Sequence, residues 1–208
     1  YSDFINAQEQ KATSDAAFFG AKAQQIARVD AMVADDASGL SSALSIFFGA
    51  AQTLSTNPAD LAARQNYLSA ADTLSTRFNG LNTVMDELRT ATNLKVRDTV
   101  EQLNNATSQI AALNNQIVTA LNQTSNGGPP NDLLDRRDQL ILQLSEQVQV
   151  TRVDVADGST NLFLANGQSL VVGTTQFPVQ TQVDPQDPQN LLVGMTTKVN
   201  GQDRLLAF

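Results

Sequence analysis

The sequence predicts an α+β fold: an elongated N-terminal helical bundle containing one very long helix, followed by an antiparallel β domain. Three observations carry this expectation. Up to about residue 147, Ala, Leu, Gln, Asn, Ser and Thr dominate and apolar residues recur every three or four positions. Beyond it Val, Thr and Gly rise, and apolar residues fall in short runs between turns. No proline occurs between Pro58 and Pro129, so nothing in that interval forces a helix to stop. The expected division is a coiled-coil-like helical domain over 1–147 and a β domain over 148–208. The chain starts without Met and ends on a strand-like segment with no obvious partner. It therefore reads as a piece of a longer protein whose further residues complete the β domain, since an open apolar edge invites aggregation.

The first helix is expected over about 15–34, with Ser14 or Asp15 as N-cap and a stripe of Phe18, Phe19, Ile26, Val29 and Val33. The "DDASG" stretch ends it. Leu40, Ala43, Leu44, Phe47, Phe48, Ala51 and Leu54 then mark a second helix, stopped by "TNPAD". In that stretch Asn57 suits an N-cap, Pro58 a first helical position and Asp60 the positive end of the helix dipole. The third helix runs from there through Leu61, Leu68, Leu74, Phe78, Leu81, Met85, Leu88, Val96, Val100, Leu103, Ile110, Leu113, Ile117 and Leu121. Its most regular heptad-like steps lie over Leu103–Ile117. A helix of about 60 residues extends roughly 90 Å, which calls for partner helices along its length.

Gly127 and Gly128 close that helix, and Pro129 and Pro130 prevent it from resuming. Asn131 or Asp132 is placed to cap a fourth helix with a stripe of Leu133, Leu140, Leu144 and Val148, broadened by Ile141. Asp132 stands four residues before Arg136, the favourable orientation for a pair. Strands follow at Val148–Val155, Asn161–Ala165 and Ser169–Val172, separated by the hairpin dipeptides Asp157-Gly158 and Asn166-Gly167. A meander is the simplest topology. Further strands are expected around Val179, Leu192 and Val199, with Asn200-Gly201 as another hairpin turn.

Composition excludes several function classes. Thirteen basic against 21 acidic residues give a net charge of −8. That argues against nucleic acid and anionic membranes as partners. With no Cys, His or Trp, thiol nucleophiles, disulfides, Cys/His zinc sites and histidine general bases do not arise, and no cofactor is expected. No apolar run is long enough to span a bilayer.

The densest charge lies in "GPPNDLLDRRD", residues 128–138. Asp132, Asp135 and Asp138 fall near one helical face, and two carboxylates are all that a glycosidase needs. An exported carbohydrate- or cation-binding enzyme is the alternative reading of this cluster. Against it, Arg136 and Arg137 sit among the acids and would keep every carboxylate low rather than raise one to serve as an acid. Both Asp132 and Asp135 are also placed where a helix start favours them. "DVADGST" has Ala156 where a calcium ligand is needed, and "DPQDPQ" is a proline-stiffened loop.

A resemblance becomes specific over four ordered segments: "NPADLAARQNYLSAADTLSTRFN", "QIAALNNQI", "PPNDLLDRRDQLILQLSEQVQV" and "NGQSLVVG". Together they resemble the flagellar hook-associated protein 1 family across nearly the whole chain. The sharpest part is Asn131, Asp132, Leu133, Leu134 and Asp135, then Arg137 and Asp138; Leu113, Asn114 and Ile117 come next. The resemblance implies a bacterial, extracellular, non-enzymatic protein at the junction of flagellar hook and filament, exported unfolded by the flagellar type III apparatus. It implies hook protein and the second junction protein as partners, an export chaperone, and self-association of the full-length protein into a ring. The family's terminal helices are not among these residues.

Overall fold

The chain, described as a computed structural model, is defined over residues 2–33, 39–123, 129–199 and 202–208. Four helices precede seven strands: α1 Ser2–Val33, α2 Leu40–Thr56, α3 Leu61–Gln123 and α4 Asn131–Ser145, then β1 Val150–Asp154, β2 Thr160–Leu164, β3 Ser169–Val172, β4 Thr175–Gln176, β5 Val179–Val183, β6 Leu191–Val199 and β7 Gln202–Ala207. This is the α+β order expected, with one helix of 63 residues. Two compact units are present: Tyr1–Gly20 with Thr92–Phe208, and Ala21–Ala91.

Helix boundaries depart from expectation where propensity outweighs capping. α1 begins at Ser2 rather than near 15 because "SDFINAQEQKA" contains neither Gly nor Pro and is rich in good helix formers. Ser14 is therefore a buried mid-helix residue, and Asp15 receives a 3.1 Å hydrogen bond from Gln149 Nε2 instead of capping. Phe18, Phe19 and Ile26 are exposed rather than inward; the side chains of Val29 and Val33, the "DDAS" of the expected break, Gly127-Gly128 and Asn200-Gly201 lie outside the described residues.

In the unit Ala21–Ala91 the turn after α2 is built differently from the expectation. Asn57 ends α2, its N–H donating to Thr53 O at 3.1 Å. Asp60 takes the capping role, Oδ1 accepting from Ala62 N at 2.9 Å, because Pro58 lies in the turn rather than at the first helical position. Between α2 and α3 the Phe47 and Tyr67 rings meet at 5.2 Å. The buried residues of the two helices are small, Ala43 and Ala50 on α2 and Ala63 and Ala70 on α3, whereas the expected large residues Phe48, Leu61, Leu68 and Phe78 are exposed.

The unit of Tyr1–Gly20 with Thr92–Phe208 holds the main core. Leu103, Ile110 and Ala111 of α3 pack with Ile141 and Leu144 of α4, with Leu162, Leu170 and Val171 of one sheet, and with Val179 of the other. The heptad-like positions Leu103, Ile110, Leu113 and Ile117 are all buried, as their spacing predicts. On α4 the buried face runs through Arg137, Ile141, Leu144 and Ser145, and Leu133 and Leu140 are only half-buried; Val148, expected in the same stripe, lies beyond the helix end and is half-buried. No side chain caps α4, whose N-cap is Pro130, so neither Asn131 nor Asp132 does so.

Sheet topology is two successive antiparallel meanders, β1-β2-β3-β4 and β5-β6-β7. Val150 pairs with Leu164 and Asp154 with Thr160 in the first. Its first two turns each take three residues rather than two, since Val155 N binds Ser159 O and Leu164 N binds Gln168 O, with Gly158 and Gly167 at positive φ of 88° and 84°; the β3–β4 turn is the two-residue Gly173-Thr174, where Gly173 has a φ of 59°. In the second sheet Leu192 and Val199 belong to one strand, β6, which pairs with both β5 and β7, so the last strand has its partner.

Ile110→Ala is expected to cost about 2–5 kcal/mol by leaving a cavity against α4 and β3. Leu94→Ala, at an exposed position of the same helix, should stay within about 0.5 kcal/mol. Thermal melting of both variants checks the contrast.

Candidate functional site

The polar centre of the core is built from three elements. Arg137 comes from the second turn of α4, Asn114 from the buried face of α3, and the hairpin 154–160 from the start of the first sheet. Arg137 is 4% exposed; its Nη1 donates to Asn114 Oδ1 at 3.1 Å and to Gly158 O at 2.7 Å. Asn114 Nδ2 donates to Thr160 O at 2.8 Å and Gly173 O at 2.6 Å, while its Oδ1 also accepts from Thr160 N at 3.1 Å. Every donor and acceptor of that amide is thus in use. Glycine suits position 158 because its φ is positive, a conformation L side chains rarely adopt; a Cβ there would meet the tip of the Leu121 side chain, which is free to shift.

Charge is balanced one layer out. Arg152 Nη1 reaches Asp138 Oδ1 at 2.7 Å, and its Nε lies 2.8 Å from Asp154 Oδ1. Asp154 Oδ1 also accepts from Thr160 Oγ1 at 2.6 Å. Burial pushes the Asp154 carboxyl up, but the hydrogen bonds from Thr160 and Arg152 outweigh it and hold the group below its ordinary value. Burial, then Arg152, lowers Arg137, against Asp138 and Asp154, which raise it; a guanidinium stays protonated throughout. Burial likewise lowers Arg152, but the hydrogen bond and charge of Asp154, with those of Asp138, leave it raised.

A second polar contact lies further up α3. Asn104 Oδ1 accepts from Val179 N at 2.9 Å and Nδ2 donates to Val179 O at 2.8 Å, so one amide closes on both backbone groups of one strand residue. Asn114 does the same to Thr160. Sequence reading singled out Asn114 and missed Asn104. The available signal was the repeated tripeptide Leu-Asn-Asn at 103–105 and 113–115.

The signature residues do not gather into one site. Arg137 and Asn114 touch; Leu113 and Ile117 are buried in the apolar layer beside them. Asn131, Asp132 and Asp135 are exposed, and Leu133 and Leu134 half-buried. Asp138 turns to Arg152, and the expected Asp132–Arg136 ion pair does not form among the described residues. Nor does any group of three or more acidic side chains among them converge to hold a metal. A cleft of about 420 Å³ between α3 and α4 is lined by Leu113 and Leu140, by Gln109, Gln116, Gln139 and Gln143, and by Arg136. It offers amides and one cation, with no carboxylate for acid–base work. Among the described residues no helix is long and apolar enough to cross a membrane.

Fold and site together define a class: a helical protein in which one long helix grips two small antiparallel sheets through side-chain amides. The chain belongs to the family of the flagellar hook-associated protein FlgK helical domain, which matches residues 26–206. It is 35% identical over 202 residues to flagellar hook-associated protein 1 of Salmonella typhimurium, covering 97% of this chain and 36% of that protein. With the protein of the same description from Escherichia coli K12 it is 34% identical, over 93% of this chain and 35% of the relative. The structure of the flagellar hook junction protein FlgK from Burkholderia pseudomallei superposes with a TM-score of 0.77 at 32% identity, covering 97% of this chain and 35% of that one. The chain therefore spans about a third of the length of these relatives.

Arg137→Ala is expected to destabilise by about 2–4 kcal/mol, since it strands Gly158 O in the core and strips a charged donor from Asn114; chemical denaturation measures it. Because the folded Asp154 carboxyl sits below its ordinary value of 3.8, its stabilisation is complete above that value and fades as pH falls through the folded one. Asp154→Asn should therefore lower stability at neutral pH and flatten the decline below about pH 4, a difference that melts between pH 7 and pH 3 record.

Proposed function

We propose that this chain is the helical-domain part of a structural subunit that joins hook to filament in the bacterial flagellum, outside the cell. Family membership carries this reading, because the relatives are described as hook-associated and hook junction proteins. The site is consistent with it. Arg137, Asp138 and Asn114 are occupied in tying α4, α3 and the first sheet together, so the charged segment 131–138 serves architecture rather than catalysis, and the protein is not an enzyme.

The partners we assign are hook protein on one side and the second junction protein on the other, with copies of the full-length protein closing into a ring and an export chaperone accompanying the unfolded chain. In this reading residues 1–147 supply the helices that join neighbouring subunits, and residues 148–208 form an outward-facing β domain. The signature positions Asn131, Asp132, Leu133, Leu134, Asp135, Arg137, Asp138, Leu113, Asn114 and Ile117 set the α3–α4 reversal and its packing.

Electron microscopy of cells lacking the protein tests the junction role: hooks without attached filaments are expected, and normal filaments would overturn it. For the architectural reading, Asp135→Asn should leave filaments intact and melting within about 0.5 kcal/mol. A glycan-cleaving activity in the purified protein that vanished in this variant would instead establish the enzymatic alternative.

A further inference from the structure

The two sheets are fastened to α3 very unequally, and the difference is concentrated at a single dipeptide. The first sheet buries Leu162, Leu170 and Val171 completely and is held by Asn114, Arg137 and Thr160, all of them buried. Among the described residues the second sheet contributes one fully buried side chain, Val179, with Val193 and Met195 only half-buried, and Leu206 of its last strand and the adjoining Phe208 are exposed. Among the described residues no ladder of hydrogen bonds joins the two sheets.

Where one sheet gives way to the other, α3 holds the chain on both sides. Gln176, the last residue of β4, donates through Nε2 to Asn104 O at 2.7 Å and to Thr107 Oγ1 at 2.9 Å. Val179, the first residue of β5, is held by the Asn104 side chain. Only Phe177 and Pro178 lie between. Pro178 has no N–H to donate, and Phe177 is tied back to the first sheet, its N–H donating to Leu170 O at 2.8 Å. The far end of the second sheet meets α3 through the exposed contact of Asn93 Nδ2 with Gln189 O, at 2.7 Å.

We infer that β5-β6-β7 is a separately opening element, hinged at Phe177-Pro178 and latched onto α3 by the Asn104 amide, while the first sheet opens only with the whole core. Few buried apolar contacts and half-exposed hydrogen bonds are the features of segments that open below the global unfolding free energy. The latch is a two-bond contact to one residue, so a single substitution releases it without touching the Arg137 centre.

Native-state hydrogen exchange across a denaturant series, read on the amides of 180–183 and 191–199 against those of 161–164 and 170–172, tests this on the unaltered chain. Two classes are expected, the second sheet exchanging faster and with a weaker denaturant dependence. Asn104→Ala should speed exchange of the second sheet roughly tenfold and leave the first sheet within about twofold, whereas Asn114→Ala should speed both. A common denaturant dependence for both sheets in the unaltered chain would overturn the inference, as would equal acceleration of both by Asn104→Ala. If Asn104→Ala does not fold, the series on the unaltered chain decides alone.

Discussion

A buried guanidinium is costly unless hydrogen bonds hold it, and Arg137 is held through Nη1, while its Nε is buried without a hydrogen-bond partner among the described residues. The group needs acceptors where the core is driest, so the 154–160 hairpin presents the Gly158 carbonyl and α3 presents the Asn114 amide oxygen. Asp138 and Asp154 supply the balancing charge through Arg152, in a half-exposed layer where carboxylates can be hydrated. The positive φ of Gly158, the inward turn of Asn114 and the orientation of α4 are three consequences of placing one charge.

Much of the fold was legible because its signals are periodic or steric. The buried positions Leu103, Ile110, Leu113 and Ile117 stand at heptad-like steps, Pro129 and Pro130 separate α3 from α4, and Gly158 and Gly167 fall at the hairpin turns. Periodicity failed where packing is by small residues. In α2 and α3 the buried residues are Ala43, Ala50, Ala63 and Ala70, while Phe48, Leu61, Leu68 and Phe78, which mark a core face in sequence, are exposed. Capping rules failed at α1 and α4 because a helix with favourable composition extends past a good cap, and because Pro130 can begin a helix without a side-chain acceptor.

The polar centre was half visible. Asn114 and Arg137 appeared as members of a pattern, yet nothing in the string of letters says that they touch, since they lie on different helices and their contact depends on how α4 folds back. Arg152 and Asp154, which complete the charge balance, were read only as strand residues. Asn104 was overlooked because an asparagine on a helix usually faces water; only its place in the first copy of Leu-Asn-Asn, matching Asn114 in the second, distinguishes it.

That repeated tripeptide makes α3 a ruler. Asn104 and Asn114 leave the helix about 15 Å apart along its axis and about 80° apart around it, and each meets the strand residue it grips only at that offset. Inserting one residue between them would rotate one amide by about 100° relative to the other, so both sheets could not be held at once. Length variation within the family should thus collect in the turns, such as 184–190 between β5 and β6, while the interval from 104 to 114 stays fixed in length even where its residues change.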